Sequence, residues 1–310
     1  MLKKLKLQAG TCPGSDDSLE IELSPVTVFI GPNNSGKSQA LIEIEGWITN
    51  GKTELLNVIS NLEFDSLTRE QVYEKMLDRI KIAPSKDFTP YNDDYFLVGK
   101  YGNNSQVFLP NLINVALSPS KENLKNSELP KILSYFTTRL DGYNRLNLLT
   151  EQVADDLQEE PRDTFSKLFR DKVLISKVRD IVYNAFKKYL VIDPTNLGYL
   201  RLRLSEKEPK DELDKSLSEE ARAFHKNATL INDVSDGVKA FIGIIISLIT
   251  GESDFILVDE PEAFLHPTLS YKLGREITSI LNNDKRLFVA THSADFLMGC
   301  VQSNVGINIV

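Results

Sequence analysis

Gly31-Pro32-Asn33-Asn34-Ser35-Gly36-Lys37-Ser38 fits the pattern G-x-x-x-x-G-K-[ST]. Glycines free the backbone to turn N–H groups inward around phosphate oxygens, Lys37 brings a point charge to the β- and γ-phosphates, and Ser38 offers a hydroxyl to Mg2+. Before the loop, Val26 to Ile30 is a β-branched run that reads as a strand. After it, Ala40 to Trp47 reads as a helix whose positive end faces the same phosphates. Strand, glycine loop and helix in that order open a nucleotide-binding α/β fold. The candidate nucleotide-binding residues are Gly31, Asn33, Asn34, Ser35, Gly36, Lys37, Ser38 and Gln39.

Two later apolar runs end in groups that suit phosphate chemistry. Phe255 to Val258 reads as a buried strand that delivers Asp259 and Glu260 at its carboxyl end, where open α/β sheets bind ligands. Asp259 is the candidate Mg2+ ligand beside Ser38, and Glu260 the candidate general base that polarises the attacking water. The plainer alternative, an exposed acidic turn after a core strand, is outweighed by the glycine loop upstream. Leu287 to Ala290 is a second core strand and ends in Thr291-His292-Ser293. His292, one of three histidines, is placed to hydrogen-bond a γ-phosphate and its attacking water. Val234-Ser235-Asp236-Gly237 precedes the apolar helix Ala240 to Ile249; it reads either as an anion site at a helix start or as simple capping by Ser235 or Asp236.

Composition bounds the remaining classes. The 310 residues are 41% hydrophobic and 26% charged, as in an ordinary globular chain of one large or two ordinary domains. Lys+Arg number 36 against 44 Asp+Glu, a net charge of −8, which excludes a general nucleic-acid coat while leaving room for a local basic patch. Cys12 and Cys300 have no metal-ligand spacing and fit a reducing cytosol. The longest apolar run, Phe241 to Thr250, is far short of the ~20 residues that span a bilayer. Met1 to Leu7 lacks the apolar core of a signal peptide, so the expected location is the cytoplasm, away from membranes.

Elsewhere, Leu2 to Leu7, Leu19 to Leu23, Tyr199 to Leu204 and Val305 to Val310 read as strands, and Ser270 to Leu281 as a helix. Leu62 to Ile82 has the pattern of an amphipathic helix built on Leu67, Val72, Met76, Leu77 and Ile80. Tyr95 to Val98 and Gln106 to Leu109 flank a turn at Gly102 to Asn104 and predict a hairpin. Leu129 to Leu140 fits either type. Phe165 to Leu190 predicts one helix broken by Pro194, and Ser205 to Asp214 has linker composition. No heptad pattern persists for three heptads, which excludes a long coiled coil.

Taken together, the motifs resemble the ABC-type ATPase head of transport cassettes and of the RecF/SMC group. Gly31 to Ser38 resembles Walker A, Phe255 to Glu260 Walker B, Val234 to Gly237 the signature loop, and His292 the switch histidine, in matching order and spacing. The spellings GPNNSGKS, SDG and DEPEAFLHP followed by ATHSADFL look most like the OLD (overcoming lysogenization defect) family and related ATPases of bacterial defence loci. The resemblance covers residues 1–48 and 228–300. It implies an α/β P-loop fold with a mixed central sheet, a core from 1–49 and 226–310, and inserted strands and a helical lobe from 50–225. It also implies ATP and Mg2+ as ligands and a homodimer in which two heads sandwich two nucleotides, with Ser235, Asp236 and Gly237 acting in trans. His266 falls either in the dimer-contacting D-loop or simply at a helix start. Gln71, Gln106 and Gln152 compete for the Q-loop glutamine, with the segment Arg139-Leu-Asp-Gly as a further candidate.

The function this implies is an ATPase that controls an effector in anti-phage defence. The effector would be a nuclease, either a separate polypeptide or a missing C-terminal Toprim domain. Two alternatives are a RecF-like DNA-repair head and an ATP-bound scaffold with little turnover. For the RecF-like head, Lys167, Arg170, Lys172, Lys177, Arg179, Lys187 and Lys188 would line a DNA-facing helix; the bland reading is a solvated face interleaved with Asp171 and Asp180.

Overall fold

The β-branched and aromatic runs fold into strands that alternate with helices. In chain order the computed structural model has β1 (Leu2–Leu7), β2 (Glu20–Glu22), β3 (Val26–Ile30), α1 (Lys37–Asn50), β4 (Ile59–Phe64), β5 (Tyr95–Lys100), β6 (Asn103–Phe108), α2 (Leu109–Leu117) and α3 (Leu129–Tyr135). It continues with β7 (Thr137–Leu140), α4 (Asn144–Asn147), β8 (Gln152–Val153), α5 (Thr164–Arg170), α6 (Lys172–Phe186), β9 (Tyr189–Asn196), β10 (Tyr199–Ser205), α7 (Glu219–Asn227) and β11 (Thr229–Leu230). Last come α8 (Asp236–Thr250), β12 (Phe255–Asp259), α9 (Pro267–Ile280), β13 (Arg286–Thr291), α10 (Ala294–Val301) and β14 (Ile307–Ile309). The structure describes residues 2–8, 18–51, 57–72, 95–100, 103–119, 127, 129–159, 161–210, 213–251, 253–281 and 284–310.

The central sheet has the order β14-β3-β13-β12-β7, and all of its pairings are parallel, where the sequence predicts a mixed sheet. Among the described residues antiparallel pairing is confined to separate sheets: β2-β1-β4, the β5-β6 hairpin, and β11-β10-β8 with β9 on the other side of β10. Strands β1 and β4 pack their apolar residues against α1 as a layer of their own and do not extend the central sheet. One of the five central strands, β7, comes from within the 50–225 segment and pairs with β12 in the register Leu140–Val258.

Both faces of the sheet are covered, which is why its strands read as continuous apolar runs. Val28, Val258 and Val289 point into the core built with α8, α9 and α10, while Phe29, Leu257 and Phe288 point into the core under α1. Helix α8 is apolar nearly all round because it is enclosed on most sides: Phe241, Ile242, Ile244, Ile245 and Ile246 are each fully buried.

Several expectations are corrected. Residues 59–64 form strand β4 paired with β1, so the helix expected from Leu62 does not begin there; residues 69–72 are helical, and Met76, Leu77 and Ile80 lie outside the described residues. Cys12 and the Gly102 end of the expected turn also lie outside them, while β5 and β6 pair antiparallel as expected. The span Leu129 to Leu140 is both types, helix α3 followed by strand β7. Phe165 to Leu190 is two helices, because Asp163 caps α5 through Ser166 N–H and Asp171 caps α6 through Val173 and Leu174 N–H. Helix α6 ends at Lys187, whose φ is 58°, so Pro194 breaks no helix. Pro194 instead sits in β9 opposite a register shift, a place where a strand tolerates a missing N–H. Among the described residues no helix is long and apolar enough to cross a membrane.

Candidate functional site

Parallel strands align their carboxyl ends, so the central sheet brings four segments to one edge. Strand β3 opens into Gly31–Ser38, β13 into His292, β12 into Asp259 and Glu260, and β7 into Asp141. Side chains far apart in sequence meet there without any local motif joining them.

The Gly31–Ser38 loop has the backbone its residue types allow. Gly36 is left-handed at φ 90° and forms the N-cap of α1 with no side-chain capping bond, and Asn34 is left-handed at φ 63°. A Cβ on Gly36 would lie 3.2 Å from Val58 Cγ2 and one on Gly31 2.9 Å from Ser35 Oγ, so neither position accommodates a larger residue without movement. Consecutive N–H groups at the start of α1, with the positive end of its dipole, form an anion-binding concavity. Lys37 is largely buried and donates from Nζ to the Pro32 carbonyl at 2.6 Å, which holds its ammonium across the mouth of the loop.

Gln39 is different. Its Nε2 donates to Glu43 Oε1 at 3.0 Å, turning the side chain into the helix, so its part at the loop is limited to its backbone N–H. Glu43 is fully buried and also accepts the N–H groups of Asn57, Val58 and Ile59 at 2.9, 3.0 and 2.7 Å. Burial pushes this carboxyl up, and those donors more than reverse it, so Glu43 titrates below the usual carboxylate range. The clamp ties the segment before β4 to α1 directly behind the phosphate loop.

Ser38 Oγ donates to Asp259 Oδ1 at 2.9 Å across 221 residues of sequence. Among the described residues no group of three or more His, Cys, Asp or Glu side chains forms a closed metal cage. Mg2+ needs none, because it is held by one or two hard oxygen ligands together with substrate phosphates and water. The Ser38 hydroxyl and Asp259 carboxylate fit that donor set.

Glu260 follows β12 in a left-handed backbone conformation, φ 46°, which costs a non-glycine residue ~1–2 kcal/mol. Two hydrogen bonds hold it: its N–H donates to Ala290 O at 2.8 Å, and its carbonyl accepts Arg145 Nη1 at 2.8 Å. The Glu260 carboxylate is half-exposed and lies 3.9 Å from His292 Nδ1. The same Nδ1 lies 3.0 Å from Glu262 Oε1, which also accepts the His292 backbone N–H at 2.9 Å.

The sequence reading missed Arg145 and Glu262. Arg145 is 1% exposed, and burial pushes its guanidinium down, opposed by the surrounding carboxylates of Glu262, Glu260, Asp141 and Asp259. Glu262 stands in the quoted DEPE spelling, where its proximity to Glu260 was visible. Nothing local marks Arg145, which reaches backbone carbonyls 114 and 115 residues away.

The signature candidates sit apart from the loop. Ser235 is the N-cap of α8 but makes no side-chain capping bond, and it is exposed. Asp236 pairs with Lys239 at 2.8 Å. Gly237 is buried, and a Cβ there would lie 2.4 Å from Phe264 O, so the start of α8 packs directly on the 260–266 loop. Among the described residues no hydrogen bond or ion pair joins Ser235, Asp236 or Gly237 to Gly31–Ser38. His266 is the N-cap of α9, its Nδ1 accepting from Thr268 N–H at 3.4 Å, which favours the helix-start reading. Of the glutamine candidates, Gln152 accepts Phe165 N–H at 3.1 Å and Gln71 pairs with Thr68, so both side chains are engaged elsewhere. The Arg139-Leu-Asp-Gly segment instead ends β7 beside β12, with Asp141 capping α4 through Tyr143 and Asn144 N–H.

The basic residues around α6 are largely engaged within the chain. Arg170 donates to the carbonyls of Glu159 and Asp156, Arg179 to Asp214 and the Leu190 carbonyl, and Lys167 to the Thr250 carbonyl. This favours the bland reading over a DNA-facing helix.

Known proteins place the fold. The family described as "AAA domain, putative AbiEii toxin, Type IV TA system" matches residues 51–299, a span that includes Asp259, Glu260, Glu262 and His292. An SmcHead structure bound to the C-winged helix domain of ScpA is 12% identical over 96% of this chain and 91% of that one, with a TM-score of 0.50. The SMC head domain from Thermotoga maritima is 15% identical over the same shares, with a TM-score of 0.44. CbiO1 from Clostridium perfringens is 16% identical over 94% of this chain and 79% of that one, with a TM-score of 0.34. No curated protein matches significantly. The SmcHead likeness shows an α/β P-loop fold.

Proposed function

We propose, from the fact that this chain belongs to the AAA-domain family matched above, that it is an ATPase that closes head-to-tail with a second copy around two Mg2+-ATP molecules and so controls an effector. The observation that carries this reading is the meeting of Ser38 with Asp259 at 2.9 Å beside Glu260 and His292. Phosphate loop, metal donors and a candidate base thus share one sheet edge.

In this reading the N–H groups at the start of α1 and the Lys37 ammonium, released from the Pro32 carbonyl, bind the β- and γ-phosphates. Ser38 and Asp259 would hold Mg2+, which would supply neutralisation of phosphate charge. Glu260 orients a water for in-line attack on the γ-phosphorus and accepts its proton, while ADP departs as the leaving group. His292 hydrogen-bonds the γ-phosphate. Ser235, exposed and uncommitted to capping, is free to meet the γ-phosphate of a second copy, with the α8 dipole behind it. Loss of the γ-phosphate then removes the contact that holds two copies together.

The family description, with its words for a toxin and a Type IV TA system, supports a role in defence. Assignment to the OLD family, and a nuclease as effector in a partner or a further domain, rest on the motif spellings. Steady-state ATP hydrolysis tests the enzymatic part. We expect turnover that Lys37→Ala abolishes; no turnover, or turnover unchanged in that variant, rejects it.

A further inference from the structure

We propose that Glu262 is a positioning residue for hydrolysis, holding His292 with its Nδ1 proton directed at the carboxylate and its Nε2 turned outward. The proposal rests on the ATPase reading and extends it to a residue that acts through His292.

Three observations carry it. First, a single oxygen, Glu262 Oε1, accepts the backbone N–H of His292 at 2.9 Å and lies 3.0 Å from its ring Nδ1, so one atom faces main chain and ring together. A carboxylate accepts only, so its place beside Nδ1 favours the tautomer that carries the proton there. The far nitrogen is then the one left for a ligand, as whenever one imidazole nitrogen is committed. Second, Glu262 is 7% exposed while the His292 ring is half-exposed, so the anchor is inside and the working end outside. Third, Glu262 Oε2 is buried with no hydrogen-bond partner, and an ionised carboxylate survives such a site only with a compensating charge. The buried guanidinium of Arg145 acts on it through space, Glu262 being foremost among the four carboxylates whose fields act on that cation. Arg145 also donates to the Glu260 carbonyl at 2.8 Å, so one buried cation steadies both the base's backbone and the carboxylate that aims the histidine.

The arrangement reaches α8 as well. A Cβ on Gly243 would lie 2.3 Å from the Arg145 carbonyl, so the apolar helix capped by Ser235 rests on the main chain of Arg145.

The test is a double-mutant cycle between Glu262→Gln and His292→Ala in the full chain, reading kcat, KM and the dissociation constant for ATP. Glutamine keeps the size of Glu262 and an oxygen for the His292 N–H, and thermal melts check that each variant folds. We expect Glu262→Gln to lower kcat roughly 10- to 100-fold, the range for carboxylates that orient a working histidine, with KM and ATP affinity within about 2-fold. In the His292→Ala background the same change should add nothing, because a residue acting through another has no further effect once that one is gone. Independently, the 15N shift of His292 in nucleotide-free protein should mark Nδ1 as protonated. Full kcat in Glu262→Gln, an equal loss in both backgrounds, or an unprotonated Nδ1 overturns the proposal. A wild type without hydrolysis rejects the ATPase reading itself, and this proposal with it.

Discussion

Two clusters of carboxylates in the molecule are treated in opposite ways. In the sheet of β9 and β10, one carboxylate has more donors than it needs: Asp193, fully buried, takes Arg201 Nη2 at 2.9 Å, Arg203 Nε at 2.6 Å and both the N–H and hydroxyl of Thr195. Burial raises its pKa, but the Thr195 and Arg203 hydrogen bonds overwhelm that and hold it at about 2. At the carboxyl edge of the central sheet the ratio is inverted. One buried guanidinium, Arg145, faces four carboxylates, and its Nη1 donates to the backbone carbonyls of Asp259 and Glu260. The first site is closed and electrostatically complete. The second keeps an excess of negative charge, which suits the proposed binding of a divalent cation and an attacking water.

The comparison breaks most decisively through Glu260. Glu260→Gln should lower turnover by about 10²–10⁴-fold while ATP still binds, the range for removal of a general base. Single-turnover hydrolysis beside equilibrium ATP binding checks it, and equal losses in both would make Glu260 a binding residue. At the other site the effect should appear in stability and leave the chemistry alone. Asp193→Asn leaves two guanidiniums without their counter-charge and should cost about 3–5 kcal/mol in urea unfolding, with KM for ATP unchanged.

Acid should separate the two sites as well. Because the Asp193 pKa is depressed, its stabilisation is complete above the unfolded value near 4 and is lost as pH falls from there through about 2. That loss amounts to about 2 kcal/mol and should vanish from the pH dependence of Asp193→Asn.

Gly237 sharpens the boundary between the site and its helix. Gly237→Ala puts a Cβ 2.4 Å from the Phe264 carbonyl and should destabilise the fold by about 1–3 kcal/mol, visible as a lowered melting temperature. The smallest expected effect belongs to His225, buried in the same part of the fold as Asp193. Burial lowers its pKa, so stability is fully present above the unfolded value of about 6.5 and declines as pH falls below it; His225→Gln should flatten that slope.

The part of the site built from contiguous residues was legible in the sequence. Gly31 to Ser38 needs particular residues at fixed spacing for backbone reasons, and Asp259, Glu260 and His292 each follow a run apolar enough to be a core strand. Arg145 was illegible because its partners are backbone carbonyls, which any sequence supplies. The parallel edge strand Thr137–Leu140 was hidden by its length: four residues directly after a helix carry too little pattern to show a period. The break between α5 and α6 was written in the chain, since Asp163 and Asp171 each stand at a helix start, but the apolar periodicity running through both masked it. Pro194 misled for the opposite reason, as a residue that breaks helices is also admitted at a bulged outer strand.

The central claim is that ATP joins two copies through the edge that carries the charge excess. Light scattering on Glu260→Gln, with and without Mg2+-ATP, tests it most directly, because the variant should retain ATP that the wild type consumes. The account predicts a doubling of mass on adding Mg2+-ATP, abolished by Ser235→Arg. A mass indifferent to ATP, or a doubling that survives Ser235→Arg, would contradict it.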